Sequence, residues 1–183
     1  MFETEAELAT LQKLLDESFG RAGERLFAIW DASNRLTADQ LSGFQGVRLV
    51  AVATVNSDGE PRVAPRSAAF LHGKFYLAAN TASVMVKRLS NNPLLAVTYF
   101  ENHLMIIAHG KATPFRRGSP GFKALRPEWE KAFRGGRDAL EGIDILIGVD
   151  AANMLAYANH PGSYPDAWEA RRSSARREQN VTV

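Results

Sequence analysis

Cysteine is absent from the 183 residues. That removes disulfides, cysteine-ligated zinc and thiol catalysis together, and it suits a reducing compartment. Charge of one sign is scarce as well: 22 Lys and Arg against 20 Asp and Glu leave a formal net charge of +2, too small a surplus to point to nucleic acid. What basic character there is sits in local clusters, above all Arg171, Arg172, Arg176 and Arg177. No apolar run approaches the roughly 20 residues needed to span a bilayer. The opening stretch, MFETEAELATLQKLLDESFG, is acidic and amphipathic, unlike the basic start and apolar middle of a secretory signal. A cytoplasmic protein with neither a membrane nor a nucleic-acid partner is therefore expected. Sites for hydrolysis or metals are missing too. Asp31, Asp39, Asp144 and Asp150 form no evident carboxylate pair, and His72, His103 and His160 fall at turns without metal-ligand spacing. No serine nucleophile elbow and no glycine-rich dinucleotide fingerprint occurs.

What is present is a chain able to bury a core, 45% of it hydrophobic, and of a length suited to one domain. Leu8, Leu11, Leu14, Leu15 and Phe19, then Leu26, Phe27 and Trp30, recur at helical spacing, with Gly20 and Gly23 between two helices. Thr37-Ala38-Asp39-Gln40 reads as a capping box opening a third, short helix. From residue 47 the texture changes to short β-branched runs. Strands are predicted at 48–55, 62–71, 75–79, 94–100, 104–113, 143–149 and 154–158. Pro65 predicts a bend or bulge in the second, and Asn56-Ser57-Asp58-Gly59 predicts a hairpin turn before it. A further helical stretch falls within 114–142, with Pro127 suggesting that the helix proper starts near it. Many short strands joined by hairpins argue for an α+β fold with an antiparallel barrel and helices at its edges. The expected organisation is a helical arm over 1–46, a barrel over 47–160 and a polar basic tail over 161–183.

Residues 61–93 organise the chain. Arg62 and Arg66, four apart on an extended run, share one face. Residues 74–79 deliver the backbone to Asn80-Thr81-Ala82-Ser83, where a helix opens with Thr81 as the predicted N-cap and Ser83 in its first turn. It ends at Asn91-Asn92-Pro93. A helix start offers free amides and partial positive charge, which suits a phosphate. Arg62, Arg66, Lys87 and Arg88 supply countercharge. His109, beside Gly110 in an apolar strand, is a lesser candidate contact.

Over roughly residues 47–113 the order strand–NSDGEPRV–AP–strand, FYLAANTAS, helix–LSNNP and strand–HGKAT resembles the FMN-binding split-barrel family, the pyridoxamine 5′-phosphate oxidase-like proteins. The resemblance implies a six- to seven-stranded antiparallel split β-barrel with flanking helices. It also implies a homodimer with FMN in a cleft between subunits, and a flavin-dependent oxidoreductase acting on a small organic substrate. It carries cofactor binding onto Arg62, Val63, Ala64, Pro65, Arg66 and Ser67 of the second strand, and onto Ala79, Asn80, Thr81 and Ser83 at the helix start. Lys87 and Arg88 follow on the helix, and Trp168 and Arg171 are similar to the aromatic and basic residues that reach the flavin of the facing subunit in the true oxidases. One position departs: the family's helix lysine falls on Met85. Lys87 is two residues on, about 200° around the helix. A deazaflavin coenzyme, haem, or a non-enzymatic binding role on the same scaffold is the alternative that departure implies.

Overall fold

The computed structural model describes residues 3–23, 26, 31–102, 104–133, 142–164 and 166. The helix expected before Trp30, the Gly135-Gly136 break, His103, Trp168 and Arg171 lie wholly or largely outside those residues.

Helix α1 (Glu5–Gly20) opens on a complete capping box. The Thr4 hydroxyl accepts from the Glu7 amide, and the Glu7 carboxylate accepts from the Thr4 amide. Helix α2 (Ala38–Ser42) repeats the device with Thr37 and Gln40, as its sequence predicts. Six strands follow: β1 (Val47–Val55), β2 (Pro61–Leu71), β3 (Lys74–Ala79), β4 (Leu94–Glu101), β5 (Leu104–Arg116) and β6 (Ile145–Ala158). Helix α3 (Val84–Asn91) lies between β3 and β4, and α4 (Pro120–Ala132) between β5 and β6. The strands are antiparallel in the order β1-β2-β3-β6-β5-β4, and β4 returns to β1, closing the barrel. The hairpin between β2 and β3 turns on His72 and Gly73 at φ 52° and 69°, a left-handed pair that matches the twist of the strands it joins.

Alternation along the strands sends one set of side chains inward. Val50, Val52, Phe70, Leu77, Val97 and Ile106 form the main core together with Leu11 and Leu15 of α1, Leu41 of α2 and Met85 and Leu89 of α3. Phe44 joins it, standing 4.9 Å from Tyr99 and 6.2 Å from Phe70 between ring centroids, contacts that add about 0.5–1.5 kcal/mol each beyond burial. A second core lies outside the wall, where α4 lays Phe122, Leu125 and Trp129 over Leu71, Tyr76 and Leu146.

The structure corrects the sequence reading in three places. The two strands expected at 143–149 and 154–158 are one strand, β6, paired with β5 from Leu104↔Ala158 to Arg116↔Ile145. The register slips between His109, opposite Asn153, and Gly110, opposite Ala151, so Ala152 is the extra residue of a bulge. Asp-Ala-Ala-Asn looks like a turn in sequence because bulges and turns draw on the same small and polar residues. A side chain at Gly110 would stand 2.1 Å from the Asp150 carbonyl oxygen, so glycine is required opposite the bulge. Helix α1 satisfies the displaced backbone: the Ser18 hydroxyl accepts from the Met154 amide and Arg21 donates to the Ala152 carbonyl, both at 2.9 Å. Next, α4 begins at Pro120 rather than near Pro127. Ser119 caps it through the Phe122 amide at 3.2 Å, Pro120 takes the first helical position, and the buried face of Phe122, Leu125 and Trp129 carries the helix past Pro127. Last, Pro65 neither bends nor bulges β2, whose register with β1 is unbroken from Val47↔Ala69 to Val55↔Pro61. Because β3 pairs with β2 only over residues 68–71, residues 61–67 have no described strand on their far edge, a setting that tolerates proline.

Candidate functional site

The residues predicted to grip an anion fall on two neighbouring elements, the outer half of β2 and the approach to α3. Arg62 and Arg66 share a face as their spacing predicts, opposite buried Thr54 and Val50 of β1. Val63, Pro65 and Ser67 occupy the other face and are exposed, whereas Ala64 is half-buried beside the arginines. Arg62 is ion-paired with Glu60, both about half exposed, and such a pair is worth little. Arg66 donates to the Pro65 carbonyl at 2.8 Å.

At the start of α3 the amides can be followed one by one. The Asn80 side chain accepts from the Ala82 amide at 2.8 Å, and the Asn80 carbonyl accepts from the Ser83 amide at 2.9 Å. The Thr81 amide and hydroxyl donate to the two carboxylate oxygens of Asp144, each at 2.7 Å. Ser83 accepts from the Val86 amide at 3.3 Å and is the N-cap. The expectation that Thr81 caps the helix is therefore corrected. Its hydroxyl is spent on Asp144, and the turn closed by Asn80 makes Ser83 the first residue able to reach an amide three places on. Among the described residues, the amides of Val84 and Met85 have no acceptor.

Met85 is 3% exposed and belongs to the barrel core, so its side chain points inward. Lys87 is exposed. Arg88 lies about 60° around the helix from Met85, at the margin of the buried stripe, and its Nε is buried without a hydrogen-bond partner among the described residues. A buried guanidinium N–H left unpaired costs free energy unless something accepts from it. Helix α3 packs against β1, the strand that pairs with β2.

Asp144 escaped the sequence reading. It lies 63 residues from Thr81, and nothing in the spacing joins them. The Thr81 hydroxyl holds its carboxyl below the usual aspartate range; desolvation pushes the other way, and the Thr81 amide, the Asp144 amide and the charge of Arg117 add to the lowering. The Arg117 amide in turn donates to the Asp144 carbonyl at 2.7 Å.

Two further surfaces frame this region. The outward residues of β2, β1, β4 and β5 form one continuous face through the pairs Ala53↔Val63, Ala51↔Thr98 and Phe100↔Met105. It is largely apolar, with Leu49 and Val63 69% and Phe100 67% exposed. His109 stands exposed at its edge, opposite Ala96. On another side an open groove of about 1010 Å³ is lined by α1, the β2–β3 turn, Lys74, Tyr76, Lys111 and Asp150, with no residue of α3 among its walls.

The family model of pyridoxamine 5′-phosphate oxidase matches residues 36–141. No curated protein matches the chain. Among solved structures, a conserved hypothetical protein of Mycobacterium tuberculosis, Rv2991, superposes with a TM-score of 0.60 at 15% identity, covering 74% of this chain and 93% of its own. A proposed 5-nitroimidazole antibiotic resistance protein of Bacteroides thetaiotaomicron superposes with a TM-score of 0.53 at 12% identity, covering 64% and 81%. At these identities the superpositions speak to fold, and they agree with the closed barrel. The family match covers more than half of the 183 residues, from the approach to α2 through strands β1 to β5 and α4, and the chain belongs to the pyridoxamine 5′-phosphate oxidase family.

Proposed function

We propose that this protein is a flavin-dependent oxidoreductase that works as a homodimer, with FMN held in a cleft between the subunits and a small organic molecule as substrate. The observation that carries the reading is Arg88, whose buried Nε has no acceptor among the described residues. That is the kind of incomplete cradle an anionic cofactor end would complete. The amides of Val84 and Met85 add two donors at the positive end of α3. The backbone of residues 63–67 and of residues 79–83 would line the path from that end, with Ser83 fixing the helix start and Lys87 contributing long-range charge. The apolar face around Leu49, Val63 and Phe100 is the surface a second copy would cover. The flavin, when bound, supplies the hydride or electron chemistry. The chain's own part is then to seat the anionic end, exclude water and present the ring to the substrate, which agrees with the lack of a nucleophile or acid–base pair.

Met85 supports a second reading. With the family's lysine position turned into the core, the same dimer would hold FMN, a deazaflavin coenzyme or haem without turnover. Absorbance of the purified protein separates these: flavin bands with reduction and reoxidation favour the enzyme, and a haem band or a redox-silent flavin favours the binder. A colourless protein that ignores added FMN removes the flavin reading. Arg88→Ala is expected to weaken FMN about ten- to a hundredfold, matching loss of one charge-assisted contact, while riboflavin, which lacks the phosphate, binds as before. Equal losses for both ligands would refute the phosphate assignment.

A further inference from the structure

The groove of about 1010 Å³ beside α1 has one wall on the outer face of β3, β6 and β5. Strand register lays out that wall. Tyr76 stands opposite Gly148, which stands opposite Thr113, and two residues along β6 Asp150 stands opposite Lys111. The Tyr76 ring lies over Gly148, where a Cβ would meet it at 3.1 Å. Asp150 is fully engaged: Lys74 donates to one oxygen at 2.6 Å, and the Thr113 hydroxyl donates to the other. Tyr76 is not. It is 7% exposed, lines the groove, and its hydroxyl has no hydrogen-bond partner among the described residues. Burial, then the charges of Asp150, Glu128 and Glu7, push its pKa up to about 12, so the hydroxyl keeps its proton and faces the acidic end of the groove. A phenol buried to that degree normally has a partner.

The wall charges cancel except at two places. Lys74 answers Asp150, and Lys13 lies 3.8 Å from Glu17. Glu7 and Glu128 share a single histidine, His72, so that end keeps at least one negative charge in excess. Lys111 is exposed with no ion pair among the described residues, which leaves a positive charge at the other end. Strand β3, which follows His72 directly, and β5 are two strand spacings apart, about 10 Å. Two side chains reaching inward narrow that gap to the size of a small molecule. Between the ends the groove is apolar, with Leu11, Leu14 and Ala112 in its walls. We propose that this groove binds a small zwitterion of the amino-acid class. Its ammonium is set against Glu7 and the Tyr76 hydroxyl oxygen, its carboxylate against Lys111, and its apolar side chain over Leu11, Leu14 and Ala112. The phenol suits the middle of such a ligand, because it accepts from the ammonium while its own proton turns to the carboxylate.

The site takes nothing from the flavin reading, since no residue of α3 or of the outer half of β2 lines the groove. Three probes of one shape test it: L-phenylalanine, L-phenylalaninamide, which lacks the carboxylate, and 3-phenylpropionate, which lacks the amine. In the full chain followed by amide NMR, L-phenylalanine is expected to shift Tyr76, Lys111 and Ala112. Each analogue is expected to bind at least about tenfold more weakly, the scale of one lost hydrogen bond to a charged group. Lys111→Ala changes an exposed side chain. It should weaken L-phenylalanine about tenfold and leave L-phenylalaninamide unchanged. Tyr76→Phe keeps the ring over Gly148 and should weaken L-phenylalanine several-fold. An analogue that binds as tightly as L-phenylalanine, or a Lys111→Ala loss equal for both amines, would overturn the proposal. So would L-phenylalanine shifts confined to the apolar face around Leu49 and Phe100, or no shifts at all. FMN titration of the same wild-type and Lys111→Ala samples reports separately on the flavin reading, and the two proteins are expected to bind FMN alike.

Discussion

At the scale of single residues, Met85 shows how a family pattern can be kept in outline and lost in chemistry. The helix, its cap and its Asn-Asn-Pro stop are all present, yet the side chain at the lysine position packs with Leu89 and Val86 in the barrel core. Met85→Lys would bury an ammonium among apolar neighbours, which costs several kcal/mol unless the amine sheds its proton. The variant should lose about 2 kcal/mol or more of stability in urea and bind FMN no better than wild type. A variant as stable as wild type with tighter FMN binding would mean that this side chain can reach a ligand. The candidate site was half legible in sequence. Arg62, Arg66 and the helix start follow from short-range spacing. The Thr81–Asp144 contact joins positions brought together only when β6 pairs beside β3, and no local pattern encodes it.

At the scale of elements, the β2–β3 turn ties two helices to the wall. His72 places Nε2 2.7 Å from a Glu128 oxygen on α4 and Nδ1 3.1 Å from a Glu7 oxygen on α1, with Lys74, Tyr76 and Asp150 lining the adjoining groove. Burial alone would lower the His72 pKa, but the Glu7 carboxylate beside Nδ1 and the charges of Glu128 and Glu7 outweigh it and raise it. Glu7 moves the other way: burial would raise it, and the Thr4 amide, His72 and the Thr4 hydroxyl together lower it. A raised histidine pKa means that the contribution is complete below the ordinary value of 6.5 and fades as pH climbs through the folded value. A lowered carboxylate pKa means that the contribution is present above the ordinary value of 4.5 and fades as pH falls through the folded one. The clasp is therefore strongest between those limits. Thermal melts should show wild type losing ground to His72→Asn as pH rises above about 6.5, with hydrogen exchange quickening in α1. Parallel pH profiles for the two proteins would rule the clasp out. Asparagine is the suitable replacement because it tolerates the left-handed backbone at this turn. The elements themselves were mostly readable, because capping boxes, hairpin turns and period-two alternation are local signals. The exceptions, the single β6 and the start of α4, arise where tertiary pairing or a buried helix face overrides a local break signal.

At the scale of the whole molecule, one broad apolar face of the barrel has no cover among the described residues. Leu49, Val63 and Phe100 on three adjacent strands form a patch of the sort that soluble proteins seldom leave to water. The expected particle is a dimer of the 20.1 kDa chain, and Phe100→Asp should shift sedimentation toward the monomer and weaken FMN binding in parallel. A wild-type protein that sediments as a monomer with FMN bound would contradict a shared cleft. No helix among the described residues is long and apolar enough to cross a membrane. The bulge at Ala152 bears on the opposite side of the barrel. Its two displaced backbone groups are answered by Ser18 and Arg21, residues that come before any strand of the wall. Trimming the amino-terminal helix to obtain a minimal barrel would therefore orphan the longest strand pair at its kink, and a recombinant version meant to fold should keep those first two dozen residues.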